Sequence, residues 1–253
     1  MWLNKFRNIL GLSFQLAKTN FKLRNEGSYL GIFWYLLSPL LLFLILIAVS
    51  KFVNIFNEEY PIYLLIGLVV FNFFMHSVIQ SSNAITFNSH IIKSMKISQE
   101  SLVIATVFQA TLSHFFEIIL LITVLIFYKF SLIGMIFYPI ILFFFIIFVM
   151  GVAFVLATLG VFVSDLNNVL NVLLTSLWFA TPIFYFIDKT SFLYNVNLFN
   201  PIFYFIEITR QVVLYNKTPD LLMVITIILF SFFIFVFGVS VFGKFKNKFA
   251  ELL

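Results

Sequence analysis

The chain has 253 residues, of which 62% are hydrophobic and only 10% charged, with a mean hydropathy of +1.11. A soluble domain carries about a quarter of its residues as charges, so no large soluble domain fits and the composition is that of a membrane protein. The absence of cysteine excludes disulfides, thiolate metal sites and cysteine nucleophiles, and a net charge of +5 is too small and too dispersed for a nucleic-acid footprint.

Residues 1–31 read as an amphipathic helix lying on the inner membrane face. Trp2, Phe6, Ile9, Leu10, Phe14, Ala17 and Phe21 recur near helical spacing, and Lys5, Lys18 and Lys22 are placed for lipid headgroups. Gln15 and Lys18 interrupt the apolar run, so no cleavable signal peptide is expected. A bilayer crossing takes about 20 apolar residues, and six stretches qualify: 32–53, 61–80, 102–128, 138–163, 169–187 and 221–242. Six crossings put both ends on one side. Of the 15 basic residues all but Lys51, Lys129, Lys189, Arg210 and Lys217 fall on that side, which predicts both termini in the cytoplasm.

In chain order, the second span carries Phe71, Asn72, Phe73, Phe74 and His76, aromatics mixed with polar groups. The connector after it, Asn83 to Glu100, is too polar to cross, yet Ile85, Ile91, Ile92, Met95 and Ile97 are apolar. It predicts a short helix below the membrane exposing His90, Lys93 and Lys96. Glu117, with His114 one turn before it on the same face, is a carboxylate deep inside the third span. The pair reads two ways: as a proton station of a secondary transporter, or as a hydrogen-bonded patch joining helices. The second is favoured because a proton pathway needs more than one station. Gly151, Ala153, Ala157 and Gly160 in the fourth span allow close helix contact.

The fifth span holds a second mixed group: Trp178, Phe179, Thr181, Pro182, Phe184 and Tyr185. With Phe71, Phe73 and Phe74, these aromatics are the candidates for lining a conduit, since sugar rings pack their C–H faces on aromatic faces. Most Phe side chains elsewhere are read as lipid contacts or packing. The following stretch of about 33 residues, with Pro201 inside it, is too apolar for a plain loop and too polar to span. It predicts a re-entrant helix pair, because unpaired backbone at membrane depth is tolerated only where protein or a wet cavity surrounds it. In the last span Gly238 to Lys244 matches G-x-x-x-x-G-K. No strand precedes it and Phe245 stands where a phosphate loop needs Ser or Thr, so it is rejected as a nucleotide site. The three histidines, His76, His90 and His114, fall in different predicted elements and predict no metal site. The expected fold is an all-α membrane protein of six transmembrane helices in one domain, 1–253, with an N-terminal interfacial helix and short re-entrant outer helices between spans five and six.

Four strings in order resemble one family: LRNEGSYLGIFWYLLSPLL (23–41), YLLIGLVVFNFF (63–74), NAITFNSHIIKSMKIS (83–98), and ATPIFY (180–185) followed by LFNPIFYFIEITRQVVL (198–214). They are similar to the type-2 ABC exporter permeases, especially those that export O-antigen, teichoic acid and other lipid-linked polysaccharides. The resemblance implies a half-size permease of the cytoplasmic (inner) membrane that homodimerises and recruits two copies of a separate ATPase. That subunit would hold ATP and magnesium, and this chain would bind no cofactor and make no bond change. It implies a coupling helix at about 84–98, with His90, Lys93 and Lys96 at the ATPase interface. It also implies outer gate helices at about 190–217, where Glu207 and Arg210 form a Glu-x-x-Arg pattern whose ion pair, if exposed, is worth about 0.5 kcal/mol. Relatives often carry Arg-Asp after span four, where this chain has Ser164-Asp165; Asp165 is expected to cap the next helix. The readings left open are a permease for a drug or another lipid, a proton-coupled carrier through His114 and Glu117, and a membrane scaffold.

Overall fold

The computed structural model describes residues 2–25, 31–52, 57–94 and 97–252. Among them there is no strand, and the elements form one helical series. These are α1 (Trp2–Asn25), a 3-10 turn (Gly31–Phe33) leading into α2 (Trp34–Phe52), α3 (Tyr60–Ser82), α4 (Ser89–Ser94), α5 (Gln99–Phe127) and α6 (Tyr138–Phe162). There follow α7 (Leu166–Ala180), α8 (Phe192–Asn197), α9 (Pro201–Thr209) continued by a π turn (Arg210–Leu214), α10 (Leu221–Phe245) and α11 (Phe249–Leu252). Four of them, α3, α5, α6 and α10, are long and apolar enough to cross a bilayer, while α2 and α7 are shorter apolar helices. The chain is therefore a multi-pass membrane protein.

Helix starts follow local chemistry. Pro61 and Pro139 sit in the first turns of α3 and α6, where a missing N–H costs nothing. Ser191, Asn200 and Asp220 cap α8, α9 and α10, each side chain accepting a backbone N–H of the first turn. Asp165 occupies the N-cap position of α7 without making a side-chain cap bond.

The centre of the bundle is α3, buried without interruption from Tyr60 to Phe74 and packed against α2, α5, α6, α7 and α9. Its hydrophobicity on all sides is the pattern of a helix surrounded by others. The most extensive helix pair is α6 with α10. A Cβ placed on Gly238 would fall on the Gly151 carbonyl oxygen, and one on Gly151 would meet the Ile234 backbone. The two backbones touch there, as small-residue spacing permits. Gly160 likewise abuts the Ser82 carbonyl at the end of α3.

One element gains a contact the sequence did not foretell, and another ends short of the sequence expectation. α1 seats Ser13 and Ala17 inward and docks along α5: the Ser101 hydroxyl donates to the Ile9 carbonyl at 3.4 Å, and the Phe21 and Phe116 rings stack at 6.2 Å. Phe14, on the expected apolar face, points away from the bundle at 59% exposed, as a lipid-facing side chain would. Ser13 tolerates burial because its hydroxyl donates to the Ile9 carbonyl at 2.7 Å. The helix expected over 169–187 ends at Ala180. Pro182 disfavours the helical conformation for the residue before it, and Thr181 is extended at φ −80°, ψ 135°.

Candidate translocation site

At mid-bundle, His114 and Glu117 on α5 are brought onto Tyr138 at the start of α6. His114 Nδ1 lies 2.9 Å from Glu117 Oε2, and its Nε2 lies 2.7 Å from the Tyr138 hydroxyl. All three are buried. The Phe73 ring packs 4.8 Å from the imidazole. Phe73 continues into an aromatic cluster, edge-on to Phe145 at 5.3 Å, which meets Phe205 of α9 at 4.4 Å. Phe74 meets Phe148 at 6.1 Å and Phe71 at 6.4 Å. Phe71, Phe73 and Phe74 are thus enclosed within the protomer by their neighbours, and Phe73 borders a cavity between α2, α3 and α5.

The Tyr60 end of the bundle holds the non-helical break after α7. Its carbonyls are taken in turn by side chains: Phe184 by the Tyr60 hydroxyl at 2.8 Å, Tyr185 by the Tyr63 hydroxyl at 2.9 Å, and Ile183 by Arg210 Nη2 at 3.2 Å. Asn197 donates to the Ala180 carbonyl at 3.0 Å, and Asn200 to the Thr181 hydroxyl at 2.8 Å. This is how irregular backbone survives in an apolar setting: the carbonyls of Ala180, Ile183, Phe184 and Tyr185 each find a side-chain donor from the surrounding protein. Trp178, Phe179 and Tyr185 gather beside the break. Trp178 stacks on Phe184 at 5.0 Å and meets Phe179 at 4.8 Å, and the Tyr185 hydroxyl donates to the Ala180 carbonyl at 2.8 Å.

Arg210 binds this break to α3. It is 1% exposed, its Nε and Nη2 donate to the Tyr63 carbonyl at 3.3 and 3.2 Å, and its guanidinium lies 3.4 Å from the Tyr63 ring centroid. Glu207 approaches Nη1 only to 4.0 Å, and Nη1 has no hydrogen-bond partner. The sequence pattern suggested an exposed i, i+3 pair; the structure buries the cation and makes its carbonyl and ring contacts the principal ones. Gly67 gives it room, since a Cβ there would come within 3.0 Å of Nη2. Nearby, burial pushes the Tyr215 hydroxyl above its ordinary pKa, an effect the Glu59 carboxylate adds to and Arg210 opposes.

The opposite end carries the connector. Asn83 and Asn167 exchange amide hydrogen bonds at 3.0 and 2.6 Å, and Ser82 donates to Asn167 at 2.9 Å, so the end of α3 is bolted to the start of α7. Beyond it, His90 and Lys93 are exposed on α4, and Lys96 lies outside the described residues. Lys246 pairs with Glu100 at 2.6 Å, joining the end of α10 to the start of α5.

One face of α7 carries Asn168, Asn171 and Thr175, spaced to lie in a single stripe and all exposed. Thr175 donates to the Asn171 carbonyl at 2.7 Å. Among the described residues, the Asn168 and Asn171 amides have no partner. The rest of the helix reaches the bundle mainly through Leu170 and Leu174.

A family model for ABC-2 type transporters matches residues 12–214, from α1 through the π turn. The chain belongs to the ABC-2 type transporter family. Two relatives from Klebsiella pneumoniae, both described as O-antigen export system permease protein RfbA, are 26% identical over 98% of this chain and 99% of their own length. A protein of the same description from Myxococcus xanthus is 25% identical over 69% of this chain and 68% of its own.

In this ABC-2 transporter the sequence-derived candidates form three groups. His114, Glu117 and Phe73 meet in the bundle, Trp178, Phe179, Tyr185 and Arg210 meet around the break, and His90 and Lys93 stand apart on the connector. Asn83, Asn167, Tyr60, Tyr63 and Phe87 escaped sequence reasoning. The tyrosines look like interfacial aromatics, and the asparagines are 84 residues apart. Phe87 did carry a signal, an aromatic in a polar connector, and it is 81% exposed.

Proposed function

We propose that this chain is the permease of an ATP-driven exporter that moves a lipid-linked polysaccharide, such as O-antigen or teichoic acid, across the cytoplasmic membrane. It works as a homodimer with two ATPase subunits, crosses six times, and keeps both termini in the cytoplasm. The observation that carries the reading is the polar stripe on α7. An amide facing hydrocarbon without a partner costs on the order of 2 kcal/mol or more, so Asn168 and Asn171 belong against water or a second protomer, the two surroundings a shared conduit provides. The names of the full-length relatives supply the class of cargo.

Force enters at α4 and the turn before it, where Phe87, His90 and Lys93 meet the ATPase. It passes through the Asn83–Asn167 bolt to α7, whose far end carries the Trp178–Tyr185 group and the 190–217 gate. ATP binding drives the change because it favours one arrangement of the ATPase pair over the other. Gentle purification of the chain with its native partners tests the proposal: a co-purifying ATPase whose hydrolysis drives glycan export into inverted vesicles is the expected result. Absence of an ATPase, or transport driven by a proton gradient and lost in Glu117→Gln, would overturn it.

A further inference from the structure

We propose that the cavity between α2, α3 and α5 binds a neutral, hydroxyl-bearing ring: one sugar unit, gripped inside the protomer. Only the assignment of that sugar to the exported cargo rests on the export reading above; the chemistry of the ligand is argued from the cavity itself. Its volume is about 430 Å3, within the range of small-ligand pockets of about 300–1,000 Å3. Trp34 and Ser38 come from α2, Asn72 from α3, and His114 and Glu117 from α5.

The hydrogen bonds decide what each group offers. Tyr138 donates to His114 Nε2, which leaves Nδ1 as the protonated nitrogen, donating to Glu117 Oε2; this assignment satisfies all three groups. Glu117, one oxygen engaged by His114, also borders the cavity with its second oxygen to spare. Asn72 is 8% exposed, lines the same space, and makes no hydrogen bond with the described chain. Its amide opens onto the cavity with both a donor and an acceptor to offer, so the cavity favours a guest that both donates and accepts.

That requirement sorts the candidate guests. Among the described residues the lining holds no lysine or arginine, only His76 and His114, so a phosphate or carboxylate would find no permanent cation there. A metal ion lacks ligands, because no group of three His, Asp or Glu gathers among the described residues. An ammonium suits Glu117 and the Trp34 ring but carries donors only, leaving the Asn72 N–H groups unanswered. Neighbouring ring hydroxyls donate to Glu117 and to the Asn72 carbonyl and accept from the Asn72 amide, while the C–H face lies toward Trp34.

Saturation-transfer difference NMR tests this with the full chain in nanodiscs of sugar-free lipid, using methyl glucoside and choline as probes. Methyl glucoside ring protons should receive saturation. Asn72→Leu should weaken that binding about tenfold, the loss of one or two hydrogen bonds, with thermal unfolding unchanged. Ser38→Leu at the cavity mouth serves if Asn72→Leu fails to fold. No glucoside signal, which would leave a water-filled cavity, overturns the proposal. So does choline displacing the glucoside, or a signal that survives in the folded variant. Glucoside binding in a chain that brings down no ATPase would sink the export reading while upholding the site.

Discussion

Arg210→Ala is the sharpest test of how the gate segment is held. The substitution removes the only donor to the Ile183 carbonyl among the described residues, a loss of about 1–3 kcal/mol for a buried acceptor. It removes the guanidinium 3.4 Å from the Tyr63 ring, worth up to about 2 kcal/mol when desolvated, and leaves a void beneath a side chain that is 1% exposed. Relief of a buried cation whose Nη1 is unpaired offsets part of this. The net expectation is a loss of about 3–5 kcal/mol, the lost carbonyl and ring contacts and the void taken together, less that relief. Scaled as for domains of this size, that lowers the melting temperature by about 6–20 °C. Arg210→Met fills the volume and abolishes the buried charge, so it should cost about 1–2 kcal/mol, mostly the orphaned carbonyl. Thermal unfolding of the purified chain measures both, and amide exchange over 181–187 should accelerate in the alanine variant. An alanine variant within about 1 kcal/mol of the parent, or one no worse than methionine, would refute the view that Arg210 anchors the break.

Further expectations concern the connector and the helix contacts. Asn167→Leu breaks the amide exchange with Asn83; ATPase binding should persist while export falls about tenfold, the worth of one or two hydrogen bonds, and undiminished export would show that the bolt carries no force. Phe87→Ala should weaken ATPase co-purification about 30-fold, the effect of losing a 2 kcal/mol hot spot, and an unchanged yield of the complex would remove Phe87 from the interface. Gly238→Leu drives a side chain into the Gly151 carbonyl and should cost about 3 kcal/mol or more, read as loss of folded protein; a normal melting curve would mean that α6 and α10 can separate freely. Lys246→Ala removes a half-exposed pair with Glu100 and should cost under about 1 kcal/mol, vanishing in high salt; a larger, salt-insensitive loss would show the pair to be structural.

Local chemistry accounts for what was legible beforehand. The long apolar stretches became α3, α5, α6 and α10, because hydrocarbon length and backbone satisfaction leave a spanning chain few choices. Pro61, Pro139 and Asp220 mark helix starts by their own stereochemistry, and His114 with Glu117 share a face by spacing alone. The stop at Ala180 was equally local, since Pro182 announces it, yet the apolar run to Ile187 concealed it.

Burial and long-range partnership were decided only in three dimensions. Glu207 and Arg210 look the same in sequence whether they face water or protein; the packing of the π turn onto α3 and Gly67 is what hid the guanidinium. Nothing near Asn83 foretells Asn167, and nothing near Tyr63 foretells that its carbonyl, ring and hydroxyl would hold two other segments. Helical periodicity tells which residues share a face, but a polar group's hydrogen-bond partner on another helix depends on which faces finally meet.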